Sequence, residues 1–297
     1  MQKTIVSLAA LAAVGAAGFF YLTRPQPFDT DAMNGLVGDA EKGELVFHAS
    51  GCASCHMAPG TEDEEMAKIL KGGLKFASEF GTFYAPNISP DPEQGIGSWS
   101  ALDLANAMLR GVDTAGEHLY PAFPYASYRN TTLQDVADLY AYMMTLPADQ
   151  TPSVPHELSF PFNLRFTLGA WKLMFVTDKW VVDGDLNESE QRGRYLVEVL
   201  GHCGECHTPR NVLGGMKRGD WLAGGIDPTG LVEFPALTPD KFTWSETDIA
   251  YYLRSGFTPD YDSVGGEMVH VVDNYSHLTN SDREAVAAYL MRVPAAN

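Results

Sequence analysis

Two segments of this chain have the pattern Cys-x-x-Cys-His, and both lie within 297 residues. The segments are Cys52-Ala-Ser-Cys55-His56 and Cys203-Gly-Glu-Cys206-His207. In such a segment the two cysteine sulfurs can bond to the vinyl groups of one haem, while the adjacent histidine ligates its iron. These four cysteines are the only ones in the chain, so no thiol remains for a disulfide. The sequence therefore predicts two covalently bound haems c.

Paired cysteines also occur in two other kinds of site. A structural zinc site normally has its Cys-x-x-Cys pairs about 15–20 residues apart. Here Cys52 and Cys203 are 151 residues apart. A thioredoxin-like dithiol needs one pair at the start of a helix within a strand–helix–strand unit, and no such alternation is evident. Haem attachment is therefore the preferred interpretation, with zinc second.

The N-terminal segment is uncharged and mostly apolar from Thr4 to Thr23. This length is near the lower limit for spanning a bilayer and exceeds the usual apolar core of a signal peptide. We therefore expect residues 1–24 to form a retained transmembrane helix, with cleavage within residues 13–17 as the alternative. Because Lys3 lies on the short side, the bulk of the chain should lie outside the cytoplasm. The predicted location is a bacterial inner membrane, with the bulk in the periplasm.

The net charge of the chain is −18 at neutral pH. This sign disfavours a nucleic-acid partner, because binding to phosphates requires a basic face. It is compatible with a redox partner that has a basic docking patch, because attraction between opposite charges speeds the association of two proteins. Simple solubility accounts for part of the same excess.

The two motifs begin two copies of one unit. Trp99 and Trp244 are 145 residues apart, and the glycines that follow them share this offset. Each copy ends with apolar residues at three- and four-residue steps, from Leu133 to Pro147 and from Leu278 to Pro294, which is helical periodicity. Such self-similarity indicates a duplicated domain of about 100 residues.

These patterns predict an all-α fold with two tandem domains after the N-terminal helix. The expected boundaries are 38–150 for the first domain, 151–188 for a connector and 189–297 for the second domain. Each domain resembles the small all-helical class I cytochrome c fold. The connector is rich in proline and aromatic residues, so we expect it to be ordered and packed against both domains.

Four segments resemble a known family. They are Tyr84-Ala-Pro-Asn-Ile-Ser-Pro-Asp91, Leu119-Tyr-Pro-Ala-Phe-Pro-Tyr125, Arg192-Gly-Arg-Tyr-Leu-Val197 and His202-Cys-Gly-Glu-Cys-His-Thr-Pro-Arg-Asn211. These segments are similar to the cytochrome c subunits of bacterial membrane-bound alcohol and gluconate dehydrogenases, and to diheme cytochromes that accompany molybdenum hydroxylases. The similarity extends from about Gly38 to Pro294, although the dehydrogenase subunits commonly have three haem domains.

This resemblance implies an electron-transfer subunit rather than an enzyme. Electrons would come from a periplasmic or membrane-bound dehydrogenase, in which catalysis resides. They would continue to a quinone, a cytochrome or a terminal oxidase of the respiratory chain.

The resemblance also suggests the sixth ligand of the second haem. Met268 lies where the family has its distal thioether, which would give His207/Met268 coordination and a raised reduction potential. Methionine is also a common core filler, and His270 is the fallback ligand.

The first haem is expected to differ from the second. The offset of 145 places Phe123 opposite Met268, and phenylalanine cannot bind iron. His118 is the best donor in this loop and would give His56/His118 coordination with a lower potential. Alternatively, the iron is five-coordinate or bound by a helix methionine. Those candidates are Met108, Met143 and Met144.

Several residues are candidates for contacts around the haems. Arg210 could pair with a propionate through its guanidinium. The indoles of Trp99 and Trp244 could donate to propionates, although a core role fits them equally. The carbonyl of Pro59 or Pro209 could accept from the proximal histidine.

One different class of function remains open. A diheme enzyme, peroxidase-like or thiosulfate-oxidising, would have an open or unusual position at its first haem. Phe123 supports this alternative, because it would leave the first iron without a sixth ligand. His118 and Glu117 would be the only evident acid–base pair over that iron.

Overall fold

The structure is a computed structural model that describes residues 2–295 of the chain. Its first element is helix α1, Gln2–Leu22. With 21 residues, α1 is roughly 30 Å long at the helical rise, which matches the apolar thickness of a bilayer. By length and composition, Lys3–Leu22 is the one candidate membrane span in the described part of the chain, and the protein buries none of it.

Short helices make up most of the remaining regular structure. Those before residue 150 are α2 (Ala40–Ala49), α3 (Cys52–His56), α4 (Glu64–Ala67), α5 (Ala101–Ala105), α6 (Tyr125–Tyr128) and α7 (Leu133–Met143). Those after it are α8 (Leu168–Phe175), α9 (Glu188–Arg194), α10 (Gly204–His207), α11 (Glu246–Ser255), α12 (Met268–Ser276) and α13 (Asn280–Leu290). Helices α5 and α9 continue as π-helical turns over Asn106–Arg110 and Tyr195–Leu200.

The same helix crossing occurs in both halves of the chain. Helix α2 packs across α7, and α9 packs across α13. A Cβ atom on Gly43 would lie 1.9 Å from the carbonyl oxygen of Asp138, and one on Gly193 would lie 1.9 Å from that of Ala285. The two helices of each pair can approach this closely only because glycine stands at the crossing.

We expect Gly193→Ala to destabilise the protein by about 2 kcal/mol or more, because the added methyl group meets a backbone carbonyl that cannot rotate away. Denaturant unfolding of the haem-loaded protein would measure this change. The matched control is Gly265→Ala, since an added Cβ at Gly265 has no neighbour within 4 Å. Equal midpoints for the two variants would contradict the close crossing.

Two small antiparallel sheets depart from the predicted all-α fold. The first has strands β1 (Lys75–Ser78), β2 (Gly81–Tyr84) and β3 (Glu157–Leu158), and the second has β4 (Gly225–Ile226) and β5 (Glu233–Phe234). Both sheets follow a haem motif, and each contains a hairpin that returns the chain toward the motif histidine. The strands are too short to show a clear alternating pattern in the sequence.

The internal repeat is visible in matched caps and turns. Ser100 and Ser245 each form a capping box at the start of α5 and α11, at the offset of 145. Helices α7 and α13 begin after Thr132 and Thr279, which are 147 residues apart. The second half therefore has two more residues between its distal loop and its last helix, and Pro147 and Pro294 share this offset of 147.

The connector is ordered and packs on both halves, as predicted. The Lys172 ammonium donates to the carbonyl oxygens of Arg110 and Gly111, at 2.8 and 2.6 Å. On the other side, the Trp171 indole donates to the carbonyl of Leu213 at 2.9 Å. These contacts fix α8 between the two halves.

Candidate haem sites

Helix α3 holds the first motif. Cys52 and Cys55 are three positions apart and His56 follows Cys52 by four, a spacing that places all three side chains on one helix face. The helix begins after Gly51, whose φ of 60° is left-handed, so the chain turns sharply from α2 into the motif. As whole residues, Cys52 and Cys55 are partly buried.

The second motif has an equivalent arrangement. Helix α10 follows Cys203 and contains Cys206 and His207. The sharp turn is made here by His202, with a φ of 38°. As whole residues, Cys203 is partly buried and Cys206 is exposed.

Burial raises the pKa of all four thiols. It reaches about 12 at Cys52 and Cys203, and about 11 at Cys55 and Cys206. They are therefore protonated at neutral pH, whereas a thioredoxin-like dithiol has a lowered pKa. Within residues 2–295, no group of three or more His, Cys, Asp or Glu side chains could hold a metal ion. The structure thus lends no support to the dithiol or zinc alternatives.

A proline carbonyl orients each motif histidine. Nδ1 of His56 lies 2.8 Å from the carbonyl oxygen of Pro86, and Nδ1 of His207 lies 2.7 Å from that of Pro235. A carbonyl can only accept, so Nδ1 carries the proton and Nε2 keeps its lone pair for a metal. Burial lowers the pKa of both histidines, which favours the neutral ring that a metal requires.

The acceptors are therefore not those predicted. Pro59 and Pro209 are the predicted acceptors because they follow the motifs closely. The structure instead uses prolines that lie 30 and 28 residues after the histidines, at the ends of the hairpins. The backbone amides of Gly72 and Gly224 donate to the carbonyls of His56 and His207 and hold each motif against its hairpin.

The donor set at each motif fits a haem c. Each motif has two thiols that can form thioether bonds and one neutral imidazole whose Nε2 keeps its lone pair. Cys52, Cys55 and His56 would hold one haem. Cys203, Cys206 and His207 would hold the other.

Met268 is the first residue of α12 and is partly buried. The loop before it is fixed by the amide of Val264, which donates to the carbonyl of Gly256 at 2.7 Å. In the first half the amide of Leu119 makes the same bond to Gly111, again at an offset of 145.

The counterpart of Met268 depends on which offset is applied. The offset of 145 selects Phe123, and the offset of 147, valid from Tyr128 onward, selects Pro121. The residue between them is Ala122. None of Pro121, Ala122 and Phe123 can bind iron. The prediction that the first half has no iron ligand opposite Met268 is therefore the same for either offset.

His118 contacts the N-terminal helix. Its Nε2 lies 2.8 Å from the carbonyl oxygen of Thr23, and its buried Nδ1 has no partner in the described part of the chain. Burial lowers its pKa. In the second half, Ser263 takes the same bridging position. Coordination of the first iron by Nε2 of His118 would require the contact with Thr23 to break.

Arg210 is engaged by protein groups. Its guanidinium pairs with the carboxylate of Glu205 and donates to the carbonyl of Gly214 at 2.7 Å. Glu205 also accepts from the hydroxyl of Ser127 at 2.5 Å. Arg210 thus braces the second motif against the first half, whereas its pairing with a propionate stays a prediction.

Trp99 and Trp244 are both partly buried beside the core. The Trp99 carbonyl accepts from Tyr140 at 2.6 Å, and the Trp244 ring packs against Phe242 and Tyr252. No protein acceptor within residues 2–295 is bonded to either indole nitrogen. Both tryptophans therefore have a packing role, and their indole donors stay candidates for a propionate.

The two motifs face one another across the boundary between the halves. The Tyr128 hydroxyl donates to the carbonyl of Ser50, two residues before the first motif, at 3.0 Å. Its ring lies 5.4 Å from that of His202, directly before the second motif. Burial raises the pKa of Tyr128 well above its usual value. A neutral aromatic side chain therefore fills the space between the motifs.

Further contacts hold this boundary. The Asn274 amide donates to the hydroxyl of Ser54, inside the first motif, at 2.8 Å. The rings of His48 and His277 stack with centroids 4.0 Å apart. Sequence reasoning missed these residues, and it also missed Tyr128 and Glu205. Pro86 and Pro235 could have been found as matched prolines after each motif.

Comparisons with known proteins agree with this geometry. The cytochrome c family profile matches residues 40–147. A diheme cytochrome c-type protein of Cereibacter sphaeroides is 52% identical over 295 residues, which covers 99% of each chain. A subunit of nicotinate dehydrogenase from Pseudomonas putida is 39% identical over 84% of this chain. The fructose dehydrogenase cytochrome subunit of Gluconobacter japonicus is 35% identical over 92% of it.

The last two relatives are longer proteins. The chain spans 21% of the nicotinate dehydrogenase subunit and 56% of the fructose dehydrogenase subunit. It spans 55% of the cytochrome c subunit of a quinone-dependent alcohol dehydrogenase from Gluconobacter oxydans, which is 36% identical.

Proposed function

Since the chain belongs to the diheme cytochrome c family and carries two covalently bound haems c, we propose that it relays electrons from a partner dehydrogenase to the respiratory chain. Its two class I cytochrome c domains would be residues 38–150 and 189–297. Helix α1 would anchor them to the periplasmic face of the bacterial inner membrane.

One observation carries this proposal: two matched haem-binding motifs face each other across a packed boundary. A bound haem c supplies reversible one-electron exchange at its iron. The chain's own residues do the rest. The motif histidines are held by proline carbonyls, and Tyr128 and His202 close the gap between the motifs, so the relative positions of both sites are fixed.

The cytochrome subunit names of the relatives support a dehydrogenase as the electron donor. The net charge of −18 favours a donor or acceptor with a basic docking patch. A quinone, a cytochrome or a terminal oxidase would receive the electrons. For ligation, we propose His56 and His207 as proximal ligands and Met268 as the distal ligand of the second haem.

Affinity purification of the full-length chain from membranes tests the relay. A dehydrogenase should co-purify, and its substrate should reduce both haems in the complex but not in the isolated chain. Turnover of peroxide or thiosulfate by the isolated chain would contradict the relay. That outcome would favour the diheme enzyme, for which the missing ligand at Pro121 to Phe123 is the motivating observation.

Removal of α1 provides a separate prediction. We expect a chain in which residues 1–24 are replaced by a cleavable export signal to bind both haems, because no described contact joins either motif to α1. It should fractionate mainly with soluble periplasmic proteins, since the loss of about 20 apolar residues removes the membrane span. Haem staining of the separated fractions measures the distribution. A native protein that is already soluble would contradict the anchor.

A further inference from the structure

The connector exposes a cluster of large apolar side chains. Five of them, Phe160, Phe162, Phe166, Leu173 and Met174, are between 41% and 77% exposed. Single exposed apolar residues are common on proteins, but several in one segment of 15 residues mark a surface that binds something apolar. We call these five residues the connector patch.

The connector patch is continuous with the end of α1. The rings of Phe166 and Phe20 lie 5.9 Å apart. A Cβ atom on Gly169 would lie 2.0 Å from the carbonyl oxygen of Thr23, so α8 touches the last turn of α1. Leu173 is one helical turn beyond Gly169 and therefore shares the face of α8 that is turned toward α1.

Three other residues of α8 contact the rest of the protein. Lys172 binds two carbonyl oxygens of the first half, and Trp171 binds the carbonyl of Leu213 in the second. The ring of Phe175 packs against Gly215. Helix α8 therefore cannot rotate its apolar side chains inward, and they stay exposed beside α1.

We propose that the connector patch inserts into the interfacial region of the bilayer, next to the point where α1 leaves it. This inference rests on the membrane anchoring proposed above. Leu173 and Met174 lie on α8, whereas the three phenylalanines precede this helix, and exposed aromatic and aliphatic side chains of this kind are typical of segments that lie in the membrane interface. Two attachments, α1 and the patch, fix the orientation of both haem sites relative to the membrane, which a single anchor cannot do.

The test uses the full-length protein with both haems in phosphatidylcholine nanodiscs. A small fraction of the lipid carries a photoreactive diazirine in its acyl chain, and labelled peptides are identified by mass spectrometry. We expect label in α1 and in residues 160–175. Leu231 and Tyr261 are 86% and 92% exposed but have no described contact with α1, so their loops should stay unlabelled.

The variant Leu173→Glu/Met174→Glu should reduce labelling of residues 160–175 about tenfold or more, because burial of one large apolar side chain already favours the apolar phase by about that factor. Labelling of α1 should not change. The matched control, Leu231→Glu/Tyr261→Glu, adds the same charge elsewhere and should label like the unaltered protein.

Label confined to α1 in the unaltered protein would overturn this proposal and leave the anchor intact. Absence of label from α1 as well would overturn the anchor too. Cross-linking of residues 160–175 to a second copy or to a partner subunit, in place of lipid, would overturn the proposal by showing that the patch is a protein interface. Unchanged labelling in the double variant would also overturn it.

Discussion

Replacement of Cys203 and Cys206 together by serine is expected to leave one covalent haem per chain instead of two. Both thioether bonds at the second motif require these sulfurs, and the chain has no other cysteines outside the first motif. The haemochrome absorbance per denatured protein should fall by half, and the intact mass should fall by one haem. A haem that stayed bound through His207 alone would be lost on denaturation.

The matched variant is Cys52→Ser/Cys55→Ser, which should halve the same absorbance. The haem that remains differs between the two variants, so their spectra separate the two sites. If either variant kept two covalent haems after denaturation, its motif would not be an attachment site.

Replacement of Met268 by alanine is expected to lower the potential of one haem and leave the other unchanged. Methionine ligation raises the potential of a haem iron relative to histidine ligation. Axial ligands set haem potentials over about 0.8 V, so loss of the thioether should shift one step of a redox titration by roughly 0.1 V or more. The weak sulfur-to-iron charge-transfer band of the oxidised protein should disappear.

The control for this variant is Met66→Ala, because Met66 is 54% exposed and lies outside both motifs. It should leave the potentials and the charge-transfer band as they are. A Met268→Ala protein that retains the full band would exclude Met268 as a ligand. A band intensity that corresponds to two methionine-ligated haems in the unaltered protein would show that the first haem finds a thioether elsewhere.

Local features of the fold could be predicted from the sequence. The Cys-x-x-Cys-His motifs predict the attachment sites by residue type and spacing alone. The apolar periodicity of Leu133 to Pro147 predicts α7, and Trp-Ser at two places marks the starts of α5 and α11. These features depend only on residues that are close together in the sequence, so local patterns are enough to predict them.

Long-range contacts could not be predicted in this way. The carbonyl of Thr23 meets His118 across 95 residues, and Ser127 meets Glu205 across 78. Such pairs depend on how whole helices pack, which no local pattern specifies. The choice of Pro86 over Pro59 has the same cause, because the hairpin between them brings a distant carbonyl back to His56.

The change of offset from 145 to 147 is also present in the sequence, since Pro147 and Pro294 are 147 residues apart. The tryptophan offset of 145 holds only as far as the distal loop, and the extra residues of the second half lie beyond the position that matches Leu119. The capping threonines, Thr132 and Thr279, carry the corrected offset.

The proline carbonyls make the hydrogen bonds of the two motif histidines alike. Both motif histidines donate Nδ1–H to the same kind of backbone acceptor, at 2.8 and 2.7 Å, so this hydrogen bond would affect the basicity of the two rings about equally. Because the acceptor belongs to the main chain, side-chain substitution at Pro86 or Pro235 does not remove it. The two histidines differ in burial, since His207 is buried and His56 is half-buried, so a gap between the two reduction potentials would come from burial and distal ligation more than from these hydrogen bonds.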